Sequence, residues 1–354
     1  MEVRKKLKLN TVEKETLKNW YYLMSLGRKL DERAPNYLKQ ALGWSYHAPY
    51  AGHDAIQLAI GQVFNKKTDH LFPYYRDMLT VISAGITAEE IILNGISKAT
   101  DKASGGRHMS NHFAKPEWNI HNVSSATGNH TLHAVGVARA IKKYGGKGVA
   151  ISSQGESSLS EGYVYEAING ASNEKLPVIF VVQDNSYGIS VQKRDQTANY
   201  FASDNFRGFK NLRIIHCDGK NVFDSMAAMT EARRHAIEKS EPVIVHARVV
   251  RILSHSNSDK HELYRDENEL HCAKAADPLD RFTKQILHSG IFTEAELQEI
   301  DKQVKDEVST AHKKALVAPD PDPATIFNFV TAEPYISEKY PRSEERRVGK
   351  ECVP

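Results

Sequence analysis

The stretch from Val149 to Ser190 constrains the fold of this chain more than any other. Val149 to Gln154 is a short apolar run closed by a glycine turn, and from about Leu159 the apolar residues Val164, Ala167, Ile168 and Ala171 recur at helical spacing. Pro177 opens a second run, Val178-Ile-Phe-Val-Val182, whose β-branched character without alternation suits a parallel strand buried on both faces. Two such strands bridged by a helix form a right-handed βαβ unit. The fold class expected is therefore α/β, a mostly parallel sheet with helices on both faces.

Ligands of open α/β sheets sit beyond the carboxyl ends of the strands. The first strand of this unit ends in Gly155-Glu156-Ser157-Ser158, the second in Asp184-Asn185-Ser186-Tyr187-Gly188. Glu156 and Asn185, with a backbone carbonyl such as that of Tyr187, make an all-oxygen set suited to Mg²⁺. Ser157 and Ser158, with the N–H groups of the following helix, are suited to a diphosphate at the positive end of the helix dipole.

Composition narrows the function. With 354 residues, 40% hydrophobic and 26% charged, the chain has room for a large α/β domain with helical extensions. A formal net charge of +3 is too small to argue for nucleic acid, and the basic start Arg4-Lys-Lys-Leu-Lys8 reads as a solvated end. No apolar run reaches the length of a membrane span, and the N-terminus carries no apolar leader-like region. Cys217, Cys272 and Cys352 form no CxxC pair, which points to a reducing cytoplasm rather than to disulfides or zinc. A nucleotide-binding dehydrogenase is disfavoured, because Gly145, Gly146 and Gly148 precede their strand instead of following one.

Along the chain, Asn10 with Glu13 reads as a capping box for a helix lined by Leu17, Trp20, Tyr21 and Met24, which Pro35 ends or bends. Ala51 to Ile60 opens a second helix, Leu71-Phe-Pro-Tyr-Tyr-Arg-Asp77 is a turn, and Gly105-Gly-Arg-His-Met-Ser-Asn-His112 is a glycine-containing polar loop. His108, His112, His121, His130 and His133 lack the spacing of a zinc motif. Leu212–His216 and Pro242–Val250 read as further strands around a helix from Asn221 to Lys239. His255 follows the last strand in Leu253-Ser-His-Ser-Asn-Ser-Asp259, where an imidazole suits proton transfer near neutral pH. Thr293 with Glu296 caps a late helix, Asp320-Pro-Asp-Pro-Ala reads as a linker, and the aperiodic run Ser343 to Cys352 as partly non-native.

Taken singly, each segment also fits an ordinary capped helix or polar loop. Together and in this order they resemble the α subunit of the E1 component of 2-oxo acid dehydrogenases, over roughly Asn10 to Pro334. Gly155-Glu156-Ser157 followed by Asn185 resembles the family's Gly-Asp-Gly…Asn thiamine diphosphate signature, with Glu for Asp as in branched-chain members and Ser for the second Gly. Tyr75-Arg76-Asp77 resembles its Tyr-Arg-Asp turn, and Ala51-Gly-His-Asp-Ala its Gly-Gln-Glu-Ala helix start, with His53 and Asp54 as departures. The loop at Gly106-Arg-His-Met109 resembles the branched-chain Gly-Arg-Gln-Met form, and Ser254-His-Ser-Asn-Ser-Asp259 the Gly-His-Ser-x-Ser-Asp loop. The segment Val123-Ser-Ser-Ala-Thr-Gly-Asn-His130 resembles the loop that carries Ser-Ser-Pro-Leu-Ala-Thr-Gln, but Ala126, Asn129 and His130 match its potassium ligands poorly, which puts a potassium site in doubt.

The resemblance implies a thiamine-diphosphate-binding fold with helical N- and C-terminal extensions, and the cofactors thiamine diphosphate and Mg²⁺. It implies oxidative decarboxylation of a 2-oxo acid, branched-chain before pyruvate or acetoin, with acyl transfer to the lipoyl domain of E2. Glu156, Asn185 and Tyr187 would hold the metal; Tyr75, Arg76, Ser125, Gly155, Ser157 and Ser158 would hold the cofactor; His255 would be the catalytic histidine beside it. The activity would need an E1 β subunit or fused β half, in a heterotetramer, since no second α/β unit supplies the carboxylate that the aminopyrimidine ring requires. A non-catalytic α-like subunit is the other reading. The organisation expected is a helical extension at 1–45, the diphosphate- and metal-binding α/β domain at 46–275, C-terminal helices at 276–318, and a linker and tail at 319–354.

Overall fold

The structure, a computed structural model, describes residues 7–330, so the run Ser343 to Cys352 lies outside the described residues. Residues up to Asp320 form one compact unit and those from Pro321 onward a second, in which Pro323–Thr325 makes a 3-10 turn.

The strands are β1 (His70–Phe72), β2 (Ala150–Gly155), β3 (Val178–Asp184), β4 (Tyr187–Gly188), β5 (Val191–Gln192), β6 (Arg213–Asp218) and β7 (Val243–Arg248). The helices are α1 (Lys14–Lys39), α2 (Asp54–Val63), α3 (Met78–Ser83), α4 (Ala88–Gly95), α5 (His130–Lys143), α6 (Gly162–Glu174), α7 (Lys193–Gln196), α8 (Val222–Lys239), α9 (Glu267–Ala275), α10 (Pro278–His288) and α11 (Glu294–Leu316). Among the described residues, five strands form one sheet in the order β1-β2-β3-β7-β6, with every neighbouring pair parallel. Strands β4 and β5 make a small antiparallel hairpin.

The expected double burial of the central strands is present. All seven residues of β3 are buried. Ile179 and Val181 face a core shared with α1, α2, α3, α8 and α11, while Val178, Phe180 and Val182 face a second core built with α5 and α6. Each large side chain buried in this way contributes about 1.5–3 kcal/mol, which is why an unbroken apolar run identifies such a strand. No helix of the described residues is long and apolar enough to cross a membrane.

Several boundaries differ from expectation for local reasons. The box at Thr293 and Glu296 is formed in both directions, but Asn10 lies in a 3-10 turn, and extended backbone at Val12 and Glu13 puts it out of reach of α1. Pro35 does not end α1: Ala34 and Tyr37 on either side of it are buried, and that packing carries the helix through to Lys39. Helix α6 begins at Gly162 rather than near Leu159, because Glu156–Ser160 closes into a 3-10 turn that tucks Leu159 into the second core. Ser157 and Ser158 therefore stand on a tight turn after β2, not on the first turn of a long helix.

Candidate active site

Beyond the carboxyl ends of β2 and β3 lies a cleft of about 470 Å³. It brings together all ten residues singled out in the sequence: Tyr75, Arg76, Ser125, Gly155, Glu156, Ser157, Ser158, Asn185, Tyr187 and His255. Tyr46, Tyr74, Met109, His112, Thr127, Glu161, Gly188, Ile189 and Gln196 complete its wall; Tyr74, Met109, His112 and Thr127 lie in segments that the sequence places near the cofactor, whereas nothing in the sequence marks Tyr46, Glu161, Ile189 or Gln196.

Register places the acidic end of the cleft, since Gly155 pairs with Gln183 and so Glu156 and Asn185 leave neighbouring strands together. The Asn185 N–H donates to Glu156 Oε2 at 3.2 Å, and the Ser157 hydroxyl lies 3.4 Å from Oε1. Burial first, and then the Asp184 carboxylate, push Glu156 well above the usual carboxylate range. Asp184 itself is held below the usual carboxylate range: burial opposes this, but His246 Nε2 at 2.8 Å and Lys193 Nζ at 2.6 Å both bind Oδ2. A carboxyl group that burial makes reluctant to ionise gains from a bound cation. Among the described residues no group of three His, Cys, Asp or Glu is arranged to hold a metal, so the donors at the ends of β2 and β3 are the Glu156 carboxylate, the Asn185 carbonyl oxygen and backbone oxygens. That hard, oxygen-only set fits a divalent cation shared with phosphate oxygens.

The turn after β3 is tightly made. Asn185 Oδ1 accepts the Tyr187 N–H at 3.1 Å, and Ser186 and Ile189 adopt left-handed φ values of 70° and 55°. Ile189 is β-branched and strained there, and Arg251 Nη1 holds its carbonyl at 2.9 Å. At Gly188 a Cβ would stand 2.5 Å from Ser157 Oγ and 3.1 Å from its Cβ, so a larger residue there would make the Ser157 hydroxyl turn away.

Opposite stands Arg76, 2% exposed, which donates to the carbonyls of Pro49 and His255 and to His255 Nδ1. Tyr75 packs against this guanidinium, and the neighbouring Tyr74 hydroxyl is buried in the cleft wall with no partner among the described residues. An orphaned hydroxyl in the wall of a polar cleft accords with a ligand rich in acceptor oxygens. Burial, then Arg76 and Arg251, depress His255 to about 3. His255 is thus neutral at physiological pH, in contrast to the near-neutral titration expected from its residue type.

Ser125 reaches the cleft with its hydroxyl already engaged by His112 Nε2 at 2.9 Å, while His112 Nδ1 faces the Ser110 carbonyl at 3.1 Å. Of the other clustered histidines, His108 packs its ring on His112 with centroids 4.4 Å apart, while His121 and His130 turn to other partners. His121 stacks on Phe72 and His70, and His130 donates from Nε2 to the Ser153 carbonyl at 2.8 Å. His53, on the turn before α2, lies behind Asn185 and is fully buried; desolvation, then Arg76, lower it to about 3. Gly52 permits this turn, since a Cβ there would meet the Val250 carbonyl oxygen at 2.1 Å.

A polar cleft over a parallel sheet, walled by one buried carboxyl, an amide, serines and an arginine–histidine pair, is the kind of site in which an α/β enzyme can hold a phosphorylated ligand. Residues 21–324 match the family of the dehydrogenase E1 component, and the chain belongs to it as an α component of the 2-oxo acid dehydrogenase type. The family depends on thiamine diphosphate, and its α components work with a β subunit. The chain is 32% identical over 321 residues to the 2-oxoisovalerate dehydrogenase subunit alpha of Bacillus subtilis (strain 168), covering 88% of this chain and 94% of that protein. It is 30% identical to the mitochondrial pyruvate dehydrogenase E1 component subunit alpha of Dictyostelium discoideum, over 90% of this chain and 82% of that one. With the pyruvate dehydrogenase E1 component subunit alpha of Staphylococcus aureus (strain Mu50 / ATCC 700699) it shares 32% identity over 81% of this chain and 75% of the relative.

Proposed function

We propose that this α component binds thiamine diphosphate through Mg²⁺ in the cleft at β2 and β3, and serves the oxidative decarboxylation of a branched-chain 2-oxo acid. The observation that carries the reading is the meeting of Glu156, Asn185 and Tyr187 at two neighbouring strand ends, beside Arg76 and three serines. Glu156, the Asn185 carbonyl oxygen and the Tyr187 backbone carbonyl hold Mg²⁺. Tyr75, Arg76, Ser125, Gly155, Ser157 and Ser158 surround the diphosphate, where an arginine beside hydroxyls gives charge-assisted contacts. When bound, the cofactor supplies the nucleophilic carbon and the electron sink for loss of CO₂. His255 holds its proton on Nε2 and offers it as a hydrogen bond to oxygen in the reacting region. A β subunit completes the site, the lipoyl domain of an E2 partner accepts the acyl group, and sparse cysteines accord with a cytoplasmic setting.

The branched-chain assignment draws on the Bacillus relative, on Glu156 and on Gly106-Arg-His-Met109. Pyruvate is the second reading, favoured by the Staphylococcus and Dictyostelium relatives. Assay of the chain with its β subunit decides between them. A kcat/KM at least about tenfold higher for 2-oxoisovalerate than for pyruvate, the scale of a methyl-sized pocket difference, is expected. Preference for pyruvate overturns the branched-chain assignment, and no turnover of either substrate would favour a non-catalytic subunit.

A further inference from the structure

We propose that His53 is a positioning residue: a chain of buried amides anchored on two backbone groups fixes its tautomer, and through it the orientation of the Asn185 side chain. The chain begins at Gln57, whose Oε1 accepts the Leu79 N–H at 3.2 Å and whose Nε2 donates to the Arg76 carbonyl at 2.9 Å. A backbone N–H only donates and a carbonyl only accepts, so the Gln57 amide has one orientation. Its Nε2 also lies 3.0 Å from Gln183 Oε1, which must accept. The other end of Gln183 agrees, because Nε2 donates to Asp77 Oδ1 at 2.6 Å and to Ser153 Oγ at 2.8 Å.

Gln183 Oε1 stands 2.8 Å from His53 Nδ1. An acceptor there requires the proton on Nδ1, which leaves a lone pair on Nε2. That lone pair faces Asn185 Nδ2 at 3.3 Å. The Asn185 amide therefore cannot turn over: a flipped side chain would set Oδ1 against the Nε2 lone pair and Nδ2 against the Tyr187 N–H, losing both bonds. Held this way, Oδ1 has the Tyr187 N–H as its partner among the described residues and keeps a second lone pair for a cation. His53, Gln57 and Gln183 are each 0% exposed, so no solvent competes for the chain.

This inference rests on the reading that Asn185 holds the cation, and the test separates the two. Mg²⁺ affinity is measured calorimetrically at saturating thiamine diphosphate, on the full chain assembled with its β subunit. The variants are Asn185→Ala, His53→Leu, the double variant and His53→Gln. Residues supporting a metal ligand typically alter affinity 10–100-fold, so Asn185→Ala and His53→Leu should each weaken Mg²⁺ by at least about tenfold. The double variant should be no weaker than Asn185→Ala alone, because His53 acts through Asn185. His53→Gln, whose amide can accept from Asn185 and donate to Gln183, should recover most of the loss. In the wild-type chain, ¹⁵N shifts of labelled histidine should show His53 protonated on Nδ1 and unprotonated on Nε2. Additive losses, no rescue by His53→Gln, or a proton on Nε2 overturn the positioning role while leaving Asn185 as a ligand. Unchanged affinity in Asn185→Ala removes the cation reading and this inference with it. Should His53→Leu fail to fold, the tautomer measurement decides alone.

Discussion

Arg76 Nη2 lies 3.2 Å from His255 Nδ1 and 3.0 Å from the His255 carbonyl oxygen. A guanidinium only donates, so Nδ1 accepts and the imidazole carries its proton on Nε2. Proximity to Arg76 and Arg251 adds to burial in holding the ring neutral. His255 is in this geometry a fixed hydrogen-bond donor, not a base poised near pH 7.

His255→Ala should impair acyl transfer to lipoamide more than decarboxylation followed with an artificial electron acceptor. With His255 held at about 3, the wild-type kcat/KM profile should carry no limb near pH 6.5 that the substitution removes. Equal losses in the two assays, or such a limb, would contradict this role.

A second arginine, with 14% of its side chain exposed, ties helices together. Arg28 on α1 makes bidentate contacts to Asp54 at 2.6 and 2.9 Å and to Asp277 at 3.0 and 2.6 Å, so one side chain clasps α2 and the N-cap of α10. Removing one partner from a buried ionic cluster typically costs about 3–5 kcal/mol, because the remaining charges are left without a counterion. Arg28→Met should lower the denaturant midpoint accordingly with little change in slope. A loss below about 1 kcal/mol would mean that the cluster is solvated.

Stability should also fall in mild acid, and His130 should be one cause. Burial depresses it from 6.5 to about 4, despite the bond to the Ser153 carbonyl that favours the charged form. Between those values the unfolded chain binds a proton that the folded chain refuses. The contribution is therefore complete above pH 6.5 and is lost as pH falls towards 4, at about 1.4 kcal/mol per pH unit. His130→Asn should flatten the unfolding free energy against pH by up to one proton across that window. An unchanged slope would show that His130 titrates normally.

The chain purified without a β subunit should show no substantial decarboxylation in thiamine diphosphate and Mg²⁺, and adding the β subunit should restore it. The residues lining the cleft include one buried carboxyl, Glu156, which the proposed function assigns to the cation. Substantial turnover by the chain alone would show that its own residues complete the site.

Much of this was legible in the sequence because it is local. The runs at Val149 and Val178, each ending in polar turn residues, determine two strand ends, and parallel pairing in register then brings Glu156 beside Asn185. Packing decided what local signals could not: Pro35 stays inside α1 because Ala34 and Tyr37 are buried, and the 3-10 turn after β2 follows from burial of Leu159. The support behind Asn185 was invisible for another reason. His53 and Gln183 are 130 positions apart, and a lone histidine in a helix-start motif carries no sign of its partner. Lys193 and His246 were missed likewise, since nothing in a pattern of residue types says that Asp184 will be buried between them.

The central claim, that Glu156 and its neighbours seat thiamine diphosphate through a divalent cation, is tested most directly by titrating the full chain and its Glu156→Ala variant with the cofactor, with and without Mg²⁺. The wild type should bind with Mg²⁺ and lose at least about tenfold in affinity without it, since a charged oxygen ligand carries much of such a site. Glu156→Ala should bind as weakly with Mg²⁺ as the wild type does without it. Affinity independent of Mg²⁺ in the wild type, or unchanged Mg²⁺-dependent affinity in the variant, would contradict the assignment.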